Sequence, residues 1–271
     1  MKKCYILLIV FLSGIIQNVT AQDYSEYQKF WLVQNGDTLP YRILLPENYS
    51  PGKKYPLILF LHGSGERGND NEKQLVHGAN LFLKKENREK FPAFVVFPQC
   101  SQKSYWSNTM FLMDERGERN FYFVNGGEPS AVMKMLLSLM NNLQEQFKIK
   151  QDQVYIMGLS MGGMGAYELV NRMSNTFAAA VPICGGGSTA SVQNLKNTYW
   201  WIFHGAKDNV VLPKLSQDMV KALRRVGAIV KFTLYPDANH NSWDAAFAEP
   251  DLLKWLFSKK RITINTEKPN N

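Results

Sequence analysis

Apolar residues fall into two kinds of run along the chain. One kind is short, unbroken and rich in β-branched and aromatic side chains: "YPLILFL" at 55–61, "PAFVVFP" at 92–98, "QVYIMG" at 153–158, "AAAVPIC" at 178–184, "YWWIFHG" at 199–205 and "VKFTLYP" at 230–236. A strand with one face in water alternates apolar and polar residues, so runs without polar interruption predict strands buried on both faces. The other kind repeats at three- and four-residue spacing: "SAVMKMLLSLMNNLQEQF" from 130, "MGAYELVNRMS" from 164, "PKLSQDMVKALRRVG" from 213 and "SWDAAFAEPDLLKWLFSK" from 242. That spacing gathers apolar side chains on one side of a helix. Strand and helix alternate, which predicts an α/β fold: a mostly parallel twisted sheet of about eight strands with helices on both faces.

Two stretches fall outside that alternation. "QKFWLVQ" and "TLPYRILL" flank Asn35-Gly36-Asp37, and Asn-Gly is the dipeptide that suits a two-residue hairpin turn, so an antiparallel pair is expected there. Residues 101–130, "SQKSYWSNTMFLMDERGERNFYFVNGGEPS", form a long connection after a strand. Open α/β sheets bind ligands at the carboxyl ends of their strands, and long loops in compact domains tend to carry function.

The first segment, "MKKCYILLIVFLSGIIQNVTAQ", has Lys2 and Lys3, an apolar run from Cys4 to about Ile16, and the small-residue site Val19-Thr20-Ala21. This is the pattern of a secretory signal peptide over 1–21 with cleavage after Ala21, which places the mature chain outside the cytoplasm, secreted or periplasmic. The apolar run is shorter than the ~20 residues of a spanning helix, so no stable membrane span is expected after its removal. With 271 residues, 45% of them hydrophobic, the composition suits one well-cored domain over 22–258, followed by a polar tail at 259–271.

The formal net charge is +8, or 8 − 2 = +6 without Lys2 and Lys3. No Lys/Arg cluster is interleaved with aromatics, which excludes a nucleic-acid groove. Cys100 and Cys184 would remain in the mature chain. They could pair in an oxidising compartment; two buried free thiols are the favoured alternative, since one bridge adds little to a domain this size. Neither has His or Cys neighbours at metal-ligand spacing, so no metal and no organic cofactor is expected.

The candidate chemistry sits at a strand-to-helix junction. Gly158-Leu159-Ser160-Met161-Gly162 is G-x-S-x-G, ending one apolar run and opening a helical one. A turn that sharp needs near-absent side chains beside the serine and pushes its hydroxyl into the open. A helix-capping serine is the bland alternative, and it leaves the two glycines unexplained. A serine hydroxyl becomes a nucleophile when a base takes its proton, and the base needs a carboxylate to fix its tautomer. Of the four histidines, His62 and His77 precede the serine and His204 ends a strand; His240, in "YPDANHNSW" after the last strand, is the candidate base. Asp208, in "HGAKDNVV", is the candidate acid; Asp237 and Asp244 lie too close in sequence to His240 to orient it readily. An oxyanion would find donors in the backbone N–H of Met161 and of Ser64 in "LHGSGERG", where His62 organises the loop.

Taken together, "HGSGERGNDNEKQL", "FPQC", "YWSN", "GLSMGGMGAYEL", "PICGGG", "HGAKDNVV" and "NHNSW" resemble the α/β-hydrolase superfamily, and within it the compact serine esterases of the dienelactone-hydrolase-like and feruloyl or acetyl-xylan esterase branch. The resemblance spans roughly residues 28–258. It implies Ser160, Asp208 and His240 as catalytic triad, Met161 and Ser64 as oxyanion hole, and a carboxylic-ester hydrolase working through an acyl-enzyme on small-molecule or oligosaccharide esters. Trp106 is expected in the substrate cleft, stacking on an aromatic acyl group or a sugar, with loop packing as the competing role. A serine peptidase of the same fold would use the same triad but needs a propeller or cap domain to select peptides. A non-catalytic binding protein would show a broken triad, and every element is present. The sequence carries no signature of oligomeric state.

Overall fold

The computed structural model describes residues 22–117 and 119–261; residues 1–21, read above as a signal peptide, and residues 262–271 of the expected tail lie outside the described residues. In chain order the strands are β1 (Tyr27–Gln34), β2 (Asp37–Leu44), β3 (Tyr55–Leu61), β4 (Phe94–Pro98), β5 (Thr109–Met113), β6 (Arg119–Phe123), β7 (Ile149–Leu159), β8 (Ala179–Ile183), β9 (Tyr199–Gly205) and β10 (Val230–Tyr235). The helices are α1 (Ala79–Leu83), α2 (Lys85–Lys90), α3 (Ala131–Gln146), α4 (Met161–Arg172), α5 (Val192–Leu195), α6 (Pro213–Arg225), α7 (Trp243–Phe247) and α8 (Leu252–Phe257).

Eight strands form one sheet in the order β1-β2-β4-β3-β7-β8-β9-β10. The first two pairings, β1 with β2 and β2 with β4, are antiparallel, and all later ones are parallel. The fold is that of the α/β hydrolases.

Side chains show why the strand runs are unbroken. In β3, Leu57, Leu59 and Leu61 enter one apolar core, while Ile58 and Phe60 enter another. In β7, Val154 and Ile156 join the first, Tyr155, Met157 and Leu159 the second. Successive residues point to opposite faces, so a sheet covered on both sides demands apolar residues at every position. The first core is closed by α3, α4 and α6 through Leu136, Leu139, Leu169, Met219 and Leu223. The second is closed by α1, α7 and α8 through Phe82, Ala246, Leu253 and Leu256.

The Asn-Gly turn forms as its residues require: Asn35 and Gly36 have φ of 52° and 84°, and Gln34 pairs with Asp37 across it. Two positive φ values in succession match the hairpin turn that follows strand twist. The final helix differs from the single span read from the sequence. It is split into α7 and α8 around Pro250, whose ring removes an N–H and disfavours helix at the residue before it. Among the described residues no helix is long and apolar enough to cross a membrane.

Residues 101–130 are more ordered than a plain connection. β5 and β6 form a separate antiparallel ribbon in which Phe111 pairs with Phe121 and Met113 with Arg119. By strand alternation Phe111, Arg119 and Phe121 share one face, Met110, Leu112 and Tyr122 the other. The base of the ribbon is tied to α4, where the Asn108 amide donates to Glu168 Oε2 at 2.7 Å and Glu168 pairs with Arg172 at 2.8 Å.

Candidate active site

Ser160 stands between β7 and α4 with φ 52° and ψ −117°, a backbone state that side-chain-bearing residues seldom adopt. The neighbouring glycines serve close approach. A Cβ on Gly158 would lie 2.3 Å from Gly162 O, and one on Gly162 would lie 1.9 Å from Leu61 O. Helix α4 therefore starts hard against the end of β3, three residues earlier than the apolar periodicity indicates.

Three strand ends bring the candidate residues together. Ser160 follows β7, Asp208 follows β9 and His240 follows β10. His240 Nε2 lies 3.0 Å from Ser160 Oγ, and His240 Nδ1 lies 2.8 Å from Asp208 Oδ2. An ionised carboxylate only accepts, so Nδ1–H donates to Asp208 and the lone pair of Nε2 faces the serine hydroxyl. The edge of the imidazole packs on Trp243, ring centres 5.5 Å apart.

Asp208 has no exposed side-chain surface. Burial on its own would raise its carboxyl, but hydrogen bonds from His204, His240 and the Val211 amide outweigh this and hold it well below the usual carboxylate range. Oδ1 accepts from the amides of Val210 and Val211 at 2.9 and 3.0 Å. His204, set aside in the sequence reading as a strand end, is a second imidazole on this carboxylate, its Nε2 3.2 Å from Oδ2. The signal was its place four residues before Asp208, at the end of the preceding strand.

Met161 is the first residue of α4 and Ser64 the first of a 3₁₀ turn, Ser64–Glu66, so neither N–H has a partner within its own helix. Both residues line a cleft of about 120 Å³ together with Ser160 and His240. Arg67 fixes the Ser64 carbonyl by a 3.0 Å bond from Nε and lies over the Tyr105 ring at 4.7 Å. His62 is fully buried beneath this loop; it accepts from the Cys100 amide at 2.9 Å and donates to Gly63 O at 2.6 Å. Burial pushes its pKa down to about 4, which keeps it neutral and fixed in one tautomer.

Trp106 departs from its expected place. The side chain is fully buried, its Nε1 donates to His62 O at 3.1 Å, and it packs so closely on α4 that a Cβ on Gly165 would lie 2.4 Å from its own Cβ. A ring enclosed in this way has no face left for a ligand. The aromatic surface of the cleft comes instead from Tyr105 and from Phe111 and Phe121 of the ribbon, with Arg119 beside them and Met164, Val210 and Val211 opposite. Sequence reasoning missed these ribbon residues, whose strands have apolar side chains on both faces and so no alternation to reveal them.

Cys100 and Cys184 are both free and buried. Among the described residues the one cluster with ligand atoms mutually within 4.8 Å is Cys184, Asp208 and His240. Asp208 already accepts from two backbone amides and from His240 Nδ1, so those donors occupy the lone pairs that a metal ion would need.

The family model for Esterase matches residues 34–227. The chain is 26% identical over 197 residues to Lysophospholipase-like protein 1 of Mus musculus, covering 70% of this chain and 81% of that protein. It is 28% identical over 156 residues to "Probable feruloyl esterase C" of Aspergillus terreus, covering 57% of this chain and 49% of that one. A crystal structure of a thermostable esterase superposes with a TM-score of 0.78 at 32% identity, covering 88% of this chain and 64% of its own length. The chain belongs to the Esterase family, carboxylic-ester hydrolases on the α/β-hydrolase fold.

Proposed function

We propose that the protein is a serine esterase that works outside the cytoplasm through an acyl-enzyme, on acyl esters such as the feruloyl or acetyl esters of plant polysaccharides or related small molecules. The observation that carries this reading is the relay from Ser160 Oγ through His240, 3.0 Å on one side and 2.8 Å on the other, to a buried carboxylate. In the first half-reaction His240 Nε2 takes the Ser160 proton as Oγ bonds to the ester carbonyl. The oxyanion turns toward the N–H groups of Met161 and Ser64. As the carbonyl re-forms, the C–O bond to the alcohol breaks and His240 returns the proton to that oxygen. Water then repeats the sequence on the acyl-serine, giving its proton to His240, and the free acid leaves as Ser160 regains its hydrogen.

The cleft supports a compact acyl group. At about 120 Å³ it is small beside the roughly 300–1,000 Å³ of pockets that enclose drug-sized ligands, which leaves the alcohol side of the ester in solvent. A sugar polymer fits that arrangement because only its acyl substituent has to enter. The similarity to a feruloyl esterase points the same way, and the signal-like segment over 1–21 supports export.

The test is labelling with a fluorophosphonate followed by peptide mapping, with ester turnover of Ser160→Ala measured alongside. The expected result is one labelled site at Ser160 and a fall in kcat on the order of 10³ to 10⁶. Label at another residue, or turnover near wild type in Ser160→Ala, would overturn the reading.

A further inference from the structure

The carboxylate of Asp208 is shared. His240 Nδ1 reaches Oδ2 at 2.8 Å, and His204 Nε2 reaches the same oxygen at 3.2 Å, while Oδ1 is taken up by two backbone amides. His204 Nε2 also lies 2.7 Å from Val211 O. Neither a carbonyl nor an ionised carboxylate has a hydrogen to give, so the hydrogen between them belongs to Nε2 of His204. Its other nitrogen, Nδ1, lies 2.7 Å from Ser216 Oγ, and that hydroxyl donates to Gly185 O at 2.9 Å.

We infer that His204 is a positioning residue for the reaction, holding Oδ2 of Asp208 from the side opposite His240 and limiting how strongly that carboxylate draws a proton onto the base. The inference rests on the proposed roles of Ser160, Asp208 and His240. The hydrogen on His204 Nε2, bonded to Val211 O at 2.7 Å, also faces Oδ2 at 3.2 Å, and its positive end offsets part of the charge that Oδ2 presents to His240. The imidazolium formed on His240 during the reaction is then held less tightly and releases its proton more readily to the departing alcohol.

Arg119 lines the same cleft as His240 and is unchanged in every variant compared below. The Cys184 thiol, within 4.8 Å of the ligand atoms of Asp208 and His240, is held protonated by its burial. Ser216 and Ser242 are buried hydroxyls. Lys207 and Asp237 bond to each other at 2.8 Å on the exposed side of the loops. His77 pairs with Glu66 at 3.7 Å and meets the far side of Trp243.

The experiment compares wild type, His204→Phe and His204→Gln in the pH dependence of kcat/KM on a neutral chromogenic acetate ester, with active sites counted by fluorophosphonate titration. Removing the Nε2–H group leaves Oδ2 of Asp208 to His240, so the midpoint of the ascending limb should rise in His204→Phe by about one pH unit, the scale of one hydrogen bond to a charged group. His204→Gln retains an N–H and should return the midpoint toward wild type. A purely structural role would reduce the count of active sites and leave the midpoint in place, and that result overturns the inference. Should His204→Phe fail to fold, ¹⁵N–¹H spectra of wild type provide the second reading: Nε2 of His204 should carry a hydrogen, and its signal should move in Asp208→Asn. A bare Nε2 would equally overturn the inference. Failure of the serine reading would appear separately, as absent label on Ser160 with the His204 signals unchanged.

Discussion

Trp106 holds the Ser64 loop from the inside: its Nε1 donates to the carbonyl of His62 at 3.1 Å, two residues before Ser64. The indole is thus a strut under the cleft and has no contact surface within it.

Trp106→Phe retains most of the packing and removes that hydrogen bond. The expected cost is about 0.5–1.5 kcal/mol of stability, with kcat/KM falling by the same factor on a feruloyl and an acetyl ester. Chemical denaturation and paired kinetics measure both, and a loss confined to the feruloyl ester would restore Trp106 to the substrate.

Phe121 should behave in the opposite way. Its ring and that of Phe111 line the cleft from neighbouring ribbon strands, 5.7 Å apart. Stacking is worth about 0.5–1.5 kcal/mol beyond area burial, so Phe121→Ala should reduce kcat/KM for the feruloyl ester about two- to twelve-fold more than for the acetyl ester. Equal losses would remove the ribbon from acyl recognition.

The backbone at Ser160 stores strain, since φ is 52° with a side chain present. Ser160→Gly should be inactive and yet more stable than Ser160→Ala, by about 1–3 kcal/mol if the strain is fully relieved. The comparison between two inactive variants isolates the backbone from the chemistry. Matching unfolding midpoints would show the turn to be unstrained.

Stability should also depend on His62. Its folded pKa of about 4 lies below the unfolded value near 6.5, so the unfolded chain takes up a proton that the buried ring refuses. The stabilising contribution is complete above pH 6.5 and is lost as pH falls from there toward 4, up to roughly 3 kcal/mol over that window. Urea unfolding across this range should give a steep slope for wild type and a shallower one for His62→Gln. Parallel slopes would count against a neutral buried His62.

The parallel sheet was legible because each central strand must be apolar at every position, and the "YPLILF" and "QVYIM" runs leave little else for them to be. The serine turn was legible for a related reason: two backbones meet at Gly158 and Gly162 with no room for a Cβ. What stayed hidden depends on distances that spacing does not encode. Trp106 reads as a loop aromatic until Gly165 is seen against its Cβ. His204 reads as the end of a strand until the turn after β9 folds Asp208 back onto it. The ribbon strands keep Met110 and Leu112 in solvent, so the one-sided pattern that marks an ordinary hairpin never forms.

His240, the proposed base, follows β10, one of the two edge strands of the sheet. β10 is hydrogen-bonded along one side only, to β9, and its residues are half-buried or exposed, whereas β7, which carries the serine, lies in the interior with strands on both sides. Local opening draws on the least protected elements first. Opening at this edge would separate His240, the proposed base, from Ser160 and Asp208 while the interior strands hold, and with rising denaturant ester turnover should fade before a probe of β3 and β7 reports unfolding.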